Sequence, residues 1–345
     1  MIGRVPVWLF SAALVAGTTA AASAQQATEI RWGTSQVGSS GHRAVTTLAD
    51  LLIRELDGYS VIVQPTPGAI ISVKGYATGQ FEGYYGSDIA FYEYANDVSR
   101  FEGFKASAER EPVQSFWAFT LEVGLGVHAS NRDQYDGWRD LSAQRVFTGP
   151  QPWDTRAQIE RALAAVGVQH EYVEVDLSTV GSLLDQGQLA GFGIYSSGES
   201  STAPWIIETS LTTDWVPLDP SEEELDLLRA AGFSPVEVDA GVFEEDFGGD
   251  VERVTLLPFY YGLHVGLEVP EEDVYRMLQV IEGHLDELVA SDPAYAQVRA
   301  DMVGMQRRGI ESSVEFVPIH PGLARYLREK DAWDEAWDER IATAG

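Results

Sequence analysis

Residues 30–41, which read IRWGTSQVGSSG, decide the fold more than any other stretch. A short apolar segment ends in the small residues Gly33, Thr34 and Ser35, and a loop of glycine and serine follows it. After the loop, apolar side chains recur at helical spacing from Val45 to Leu56, which indicates an amphipathic helix. The stretch therefore predicts a strand, a loop of small residues and a helix, in that order.

The same alternation continues along the chain. Strands are predicted at residues 60–64 and 89–91, and residues 66–69 break the first of them before a helix over 71–78. Alternating strands and helices are typical of a mostly parallel sheet with covering helices. A second series of strands and helices begins near residue 116, so we predict two α/β lobes of similar build.

The composition excludes several classes of protein. The chain has 345 residues, 45% of them hydrophobic, which is enough for a packed core and excludes general disorder. Its net charge of -30 argues against binding to nucleic acid or to an anionic membrane surface. The absence of cysteine excludes disulfides, thiolate catalysis and zinc held by cysteine.

The first 24 residues have the pattern of a secretory signal peptide. Arg4 precedes an apolar run over residues 7–16, and Ala22-Ser23-Ala24 forms a cleavage signal of small residues. The alternative is a transmembrane anchor, but the apolar run is about half of the ~20 residues that a spanning helix needs. We therefore predict cleavage after residue 24 and a mature protein that is exported and not inserted in the membrane.

The sequence carries no signature of catalysis. No two histidines have HxxH or HExxH spacing, and no GxSxG nucleophile motif or nucleotide-binding glycine motif occurs. The acid-rich residues 221–252 allow a calcium site in principle, but they lack the EF-hand spacing, which favours a solvated acidic surface. We therefore expect a protein that is not an enzyme, with no cofactor and no metal site.

Four loops of small and hydroxyl residues suggest binding instead. They cover residues 33–41, 66–69, 149–155 and 196–202; each follows a predicted strand, and the first three lead into a helix. Ligands of open α/β sheets collect at the carboxyl ends of strands, where helix N-termini offer free N–H groups to an anion. One such loop alone is explained by capping and turn formation, whereas four loops in two lobes indicate a ligand cleft.

The chain also resembles a known family, the TAXI solute receptors of TRAP transporters. The resemblance rests on the opening Gly33-Thr34-Ser35, on the segment 85–90, and on the close matches VPEEDVY at residues 269–275 and HPGLARYL at residues 320–327. The sequence departs from the family where His42-Arg43 replaces the usual pair of tyrosines.

The resemblance implies a type II periplasmic-binding-protein fold, in which two α/β lobes are joined by a hinge and enclose a cleft. Lobe 1 would comprise residues 25–120 and 260–345, and lobe 2 residues 121–259, with crossovers near 120–126 and 252–264. The protein would be periplasmic and would deliver a small organic carboxylate, such as glutamate, a 2-oxo acid or a dicarboxylate, to a TRAP membrane permease. The alternatives are an exported hydrolase that uses His42 or His320, and a ligand-loaded partner of a membrane sensor kinase.

The candidate ligand-binding residues lie in the four loops or at the ends of the strands before them. Arg43 has two interpretations, a charge-assisted contact to a carboxylate or a surface pair with one of many acids. Asp154 is predicted to cap the helix that follows it. The candidates are Gly33, Thr34, Ser35, Ser39, Ser40, His42, Arg43, Thr66, Gly68, Ala69, Tyr85, Ser87, Trp153, Thr155, Tyr195, Ser196 and Ser197.

Overall fold

The computed structural model describes residues 27–243, 247 and 251–343. Its strands are β1 (Thr28–Gly33), β2 (Tyr59–Gln64), β3 (Gly83–Ser87), β4 (Trp117–His128), β5 (Arg145–Phe147), β6 (Glu171–Tyr172), β7 (Gly191–Ser197), β8 (Ser201–Thr202), β9 (Trp215–Leu218), β10 (Val236–Asp239) and β11 (Arg253–Val265). Its α-helices are α1 (Ser40–Glu55), α2 (Ala69–Ala77), α3 (Asp88–Asn96), α4 (Asp154–Ala165), α5 (Val180–Asp185), α6 (Pro204–Ser210), α7 (Glu222–Ala230), α8 (Glu271–Gly283), α9 (Leu285–Ser291), α10 (Ala296–Ala300), α11 (Met302–Ser313) and α12 (Pro321–Glu329).

Two long antiparallel strands, β4 and β11, join the halves of the molecule. The main sheet runs in the order β2-β1-β3-β11-β4-β7-β5-β6. The strands at each end pair in parallel, β1 with β2 and β3, and β5 with β6 and β7. The central strands β11 and β4 pair antiparallel over Leu257–Gly262 and Trp117–Val123. The expected α/β fold of two lobes with a hinge is confirmed, and we call β4 and β11, which lie between the two halves of the sheet, the hinge strands. The exact lobe boundaries remain a prediction.

The predicted strand over residues 89–91 is wrong, because those residues belong to helix α3. The strand lies earlier, at β3, and is buried along its whole length. Ser87 caps α3 by accepting a hydrogen bond from the Ala90 amide at 3.0 Å, and Asp88 accepts one from the Ile89 amide at 2.7 Å. These two side-chain acceptors satisfy the first free amides of the helix. Their capping favours a helix at residues 89–91, although the apolar run there also fits a strand.

Two segments singled out in the sequence fall partly or wholly outside the described residues. The predicted signal peptide, residues 1–24, lies outside them. In the acid-rich segment, Ser221 and Glu224 form a capping box at the start of α7, and residues 244–246 and 248–250 lie outside the description. Within the described ranges, no helix is long and apolar enough to cross a membrane.

A carboxyl group lies fully buried in the hinge strand β4. Glu122 is hydrogen-bonded to the hydroxyls of Thr120 and Ser196 and accepts a hydrogen bond from the amide of Glu199. Burial raises the pKa of Glu122 to about 8, although these hydrogen bonds oppose the rise. The side chain is therefore largely protonated at neutral pH.

The raised pKa of Glu122 gives a pH dependence with a defined sign. The folded state keeps a proton that the unfolded chain, with a carboxyl pKa near 4.5, has already released. The stabilisation from this retained proton is complete below pH 4.5 and is lost as the pH rises through about 8. Over this range the free energy of unfolding falls by at most ~1.4 kcal/mol per pH unit. Glu122→Gln removes this loss, so between pH 5.5 and 8 the stability of the variant should rise by about 3 kcal/mol relative to that of the original chain.

Urea denaturation of both proteins at pH 5.5, 7 and 8 measures that difference. The matched control is Glu223→Gln, whose carboxyl is 76% exposed. If the difference in free energy of unfolding between Glu122→Gln and the original chain does not change with pH, Glu122 is not protonated in the folded state.

Candidate functional site

A small cavity of about 20 Å³ lies between the lobes. Its lining comes from the loop before α1, the start of α2, the end of β3, the two hinge strands, the start of α4 and the end of β7. The lining residues are Ser35, Ser39, Ser40, Gly41, Ala69, Tyr85, Leu121, Trp153, Asp154, Thr155, Tyr195 and Tyr261. Three of the four loops identified in the sequence thus meet at one cavity, and Tyr195 closes it from the strand before the fourth.

Three helices begin at this cavity. Helix α1 starts at Ser40, α2 at Ala69 and α4 at Asp154, and each of these residues lines the cavity. The first amides of a helix have no partner within the helix, and they carry a partial positive charge. The caps leave most of them free, because Ser39 accepts only from the His42 amide and the caps of α2 and α4 make no side-chain hydrogen bond. The cavity is therefore suited to a negatively charged group.

Two hydroxyl groups in the lining are buried and have no hydrogen-bond partner. They belong to Ser40, which is 1% exposed, and Tyr85, which is 2% exposed. A buried hydroxyl without a partner costs free energy, so both groups point to a ligand that completes their hydrogen bonds. Burial raises the pKa of Tyr85 well above its usual value and that of Tyr195 to about 12, which keeps both phenols protonated and able to donate.

Aromatic rings form the remaining walls of the cavity. Tyr85 stacks on Tyr261 with ring centroids 4.1 Å apart and an interplanar angle of 8°. Trp153 meets Tyr195 edge to face, at 6.2 Å and 79°. These four rings come from both lobes and from a hinge strand, so the cavity keeps its shape only while the lobes are closed.

The buried carboxylate of Asp154 connects the lobes beside the cavity. It begins α4 in lobe 2, but it accepts hydrogen bonds from Ser87 and Tyr261, each at 2.6 Å, and pairs with Arg100 at 2.5 Å. Arg100 also pairs with Glu93 at 2.8 Å. Asp154 was expected to cap the helix, but the residue at the cap position is Trp153, and the Asp154 side chain reaches across the cleft instead.

A second contact between the lobes involves Trp153 and the start of α2. The indole Nε1 of Trp153 donates to the carbonyl oxygen of Pro67 at 3.1 Å. Gly68 lies so close to this loop that a Cβ atom there would stand 2.9 Å from the carbonyl oxygen of Pro152. Glycine at this position thus allows the lobes to approach closely.

Arg43 lies outside the cavity lining and forms a third contact between the lobes. Its guanidinium pairs with the buried Asp292 at 3.1 Å and donates to the Ser201 hydroxyl at 3.0 Å. A Cβ atom on Gly198, in the same β7–β8 turn, would clash with the carbonyl oxygen of Ala294. Arg43 thus ties α1 to the β7–β8 turn of lobe 2.

The structure divides the sequence candidates into two groups. Ser35, Ser39, Ser40, Ala69, Tyr85, Trp153, Thr155 and Tyr195 line the cavity. Among the others, the Thr66 hydroxyl donates to the Thr34 carbonyl at 2.6 Å, and Gly33 accepts from Ser72 at 2.7 Å, so these residues hold the loops in place. Ser87, Ser196 and Ser197 lie in buried strand ends, where Ser87 binds Asp154 and Ser196 binds Glu122.

The histidines proposed for a hydrolase are not in the cavity lining. His42 is hydrogen-bonded to the Thr34 hydroxyl at 3.0 Å, and burial lowers its pKa. His320 is buried, caps α12 and contacts the Val269 carbonyl at 3.1 Å. Among the described residues, no group of three or more metal-ligating side chains is arranged to hold an ion.

Sequence reasoning missed two partners of Asp154 and assigned Asp154 itself a different role. Arg100 follows helix α3, far along the chain from Asp154, and Tyr261 lies within the long apolar segment of β11. No local pattern distinguishes an arginine or tyrosine that meets a distant carboxylate. Asp154 itself could have been suspected, because it stands at the start of a helix in one of the four loops.

Comparisons with known proteins relate the chain to one family. The description of that family is "NMT1-like", and its model matches residues 62–330. The fold is similar to a ligand-binding component of an ABC-type import system from Staphylococcus aureus (9% identity, 92% of this chain and 97% of that chain covered, TM-score 0.45). It is also similar to the periplasmic aliphatic sulphonate binding protein of Escherichia coli (13% identity, 91% and 97% covered, TM-score 0.43).

A third similar structure is the probable amino-acid ABC transporter extracellular-binding protein of Bacillus subtilis (12% identity, 78% and 100% covered, TM-score 0.45). No curated protein matches the chain. Because the family model covers well over half of the sequence, this protein belongs to the NMT1-like family.

Proposed function

We propose that the protein is an exported solute-binding protein that captures a small organic anion in the cleft between its lobes. The observation that carries this proposal is the meeting of three helix N-termini and two unpartnered buried hydroxyls in one interlobe cavity. The proteins with similar folds named above include binding components of importers. The resemblance to TAXI receptors further favours a carboxylate solute and a TRAP-type permease as the partner.

Closure of the lobes explains how such a protein would work. An anion in the open cleft contacts one lobe and water, whereas in the closed form it contacts helix N-termini from both lobes. A ligand shifts an equilibrium only through its different affinity for the two states. The solute and the Asp154 contacts favour the same closed arrangement, which a membrane permease would then recognise.

The net charge of -30 does not oppose the binding of an anion. Charges on the surface are screened over about 8 Å at physiological ionic strength. Helix amides within hydrogen-bond distance of the solute act in a buried site of low dielectric constant, where each interaction is several times stronger than in water. Local donors therefore decide the affinity, which should change little with salt.

A panel of organic acids tests the proposed function. A small carboxylate that binds the folded protein stabilises it by mass action and should raise its melting temperature. At a concentration one hundred times its dissociation constant, the free energy of unfolding should increase by about 2.7 kcal/mol. Chromatography of the recovered compound should show it unchanged, and turnover would favour the hydrolase alternative. If none of the acids, including 2-oxo acids, glutamate and dicarboxylates, raises the melting temperature, the proposed function is wrong.

Asp154→Asn tests the contribution of closure to affinity. The variant keeps the shape of the side chain but removes the negative charge that faces Arg100. Hydrogen bonds to charged groups contribute about 1.5–3 kcal/mol each, so affinity for the most stabilising acid of the panel should fall about 10–100-fold. Isothermal titration calorimetry measures this loss.

The matched control for Asp154→Asn is Asp226→Asn, which changes a carboxylate on α7 that is 81% exposed. This control should bind with unchanged affinity. Equal affinities for Asp154→Asn and the original chain would show that the buried pair makes no contribution to ligand capture.

A further inference from the structure

We propose that the solute is a monocarboxylate of only a few heavy atoms, with one negative charge and no ammonium group, of the size of pyruvate. This inference rests on the proposed function and narrows it, because the same cavity would otherwise accept glutamate or a dicarboxylate. It follows from the volume of the cavity, from the charges that line it and from the contacts that keep it closed.

The first argument is the available volume. The closed cavity measures about 20 Å³, a little more than the roughly 10–15 Å³ that a single water requires. Even a solute of the size of pyruvate has to widen this cavity, and every additional heavy atom requires a wider separation of the lobes.

Separation of the lobes would break the contacts beside the cavity. Asp154 both lines the cavity and makes the buried hydrogen bonds to Ser87, Tyr261 and Arg100. Trp153, another lining residue, donates to the Pro67 carbonyl in the opposite lobe. Because the walls of the cavity are themselves the closing contacts, the further a solute expands the cavity, the more of the stabilisation from closure is lost. The closed state therefore selects a small solute.

The second argument is that the cavity offers one anionic subsite. Among the described residues that line it, none is lysine, arginine or histidine. Arg100, which pairs with the lining residue Asp154, also pairs with Glu93, and Arg43 on α1 pairs with Asp292. Helix N-termini together act on one carboxylate, and a second carboxylate would be buried without a counter-charge.

The third argument concerns an ammonium group. Among the lining residues that the structure describes, Asp154 alone carries a carboxylate. Both of its oxygens are engaged, Oδ2 by Ser87 and Tyr261 and Oδ1 by Arg100. The positive ends of α1, α2 and α4 would also repel a cation. An amino acid would therefore bury its ammonium group without an acceptor of opposite charge.

Tyr85 and Ser40 then have a defined role in recognition. Their hydroxyls are the buried groups of the lining that lack a partner, and they can donate to the carboxylate or to a neighbouring carbonyl oxygen of the solute. Removal of the Tyr85 hydroxyl leaves the ring stacked on Tyr261, so Tyr85→Phe should weaken binding without altering the walls.

The experiment is calorimetric titration of the full mature chain with pyruvate and 2-oxobutanoate, and with 2-oxoglutarate, succinate and glutamate. We expect the two monocarboxylates to bind at least about 10-fold more tightly than the other three. Tyr85→Phe should weaken pyruvate binding about 10-fold, equivalent to ~1.4 kcal/mol. The matched control is Tyr92→Phe, because Tyr92 is 48% exposed and lies outside the cavity.

Each outcome distinguishes this inference from the proposed function. Tight binding of glutamate or a dicarboxylate that Tyr85→Phe weakens would overturn the size and charge assignment and leave the proposed function standing. Binding of pyruvate that is unaffected by Tyr85→Phe would place the solute elsewhere and overturn the inference. If no acid binds to the protein, both proposals are wrong.

Discussion

The closed arrangement of the protein depends on one buried carboxylate, that of Asp154. Placing a charge in the interior costs several kcal/mol unless partners surround it. Here the partners are the hydroxyls of Ser87 and Tyr261 and the guanidinium of Arg100, which all come from outside the predicted bounds of lobe 2. The carboxylate is therefore satisfied only when the lobes meet, and in the open form it would return to water.

This constraint links closure to ligand capture. Asp154 begins α4, whose free amides face the cavity, and it contacts Tyr261, whose ring stacks on Tyr85. A movement that separates Asp154 from its partners would also move α4 and the ring of Trp153 away from the solute. The closing contact and the proposed binding site are thus one structure, and the affinity for the proposed solute would include the free energy of closure. Arg43, paired with Asp292 and Ser201, supports the same arrangement away from the cavity.

Much of the site could be predicted from the sequence because helix starts leave local signals. Ser39 and Ser40 stand before an amphipathic pattern, and Gly68 and Ala69 follow a strand and a proline. Such loops are recognised by residue type alone, since small side chains and hydroxyls are what a helix N-terminus requires. The strand predicted at residues 89–91 was wrong, because an apolar run fits a buried strand and a buried helix equally.

The sequence by itself determined the α/β class, the two-lobed organisation and the loops that surround the cavity, because periodicity and capping depend on residues that are neighbours along the chain. Only the tertiary structure decided which loops meet, that Arg100 and Tyr261 satisfy Asp154, and that Arg43 pairs with Asp292 rather than facing the cavity. The physical reason is that a buried charge is stabilised by whichever partners the fold brings within hydrogen-bond distance, and those partners lie 54, 107 and 249 residues apart in the three cases.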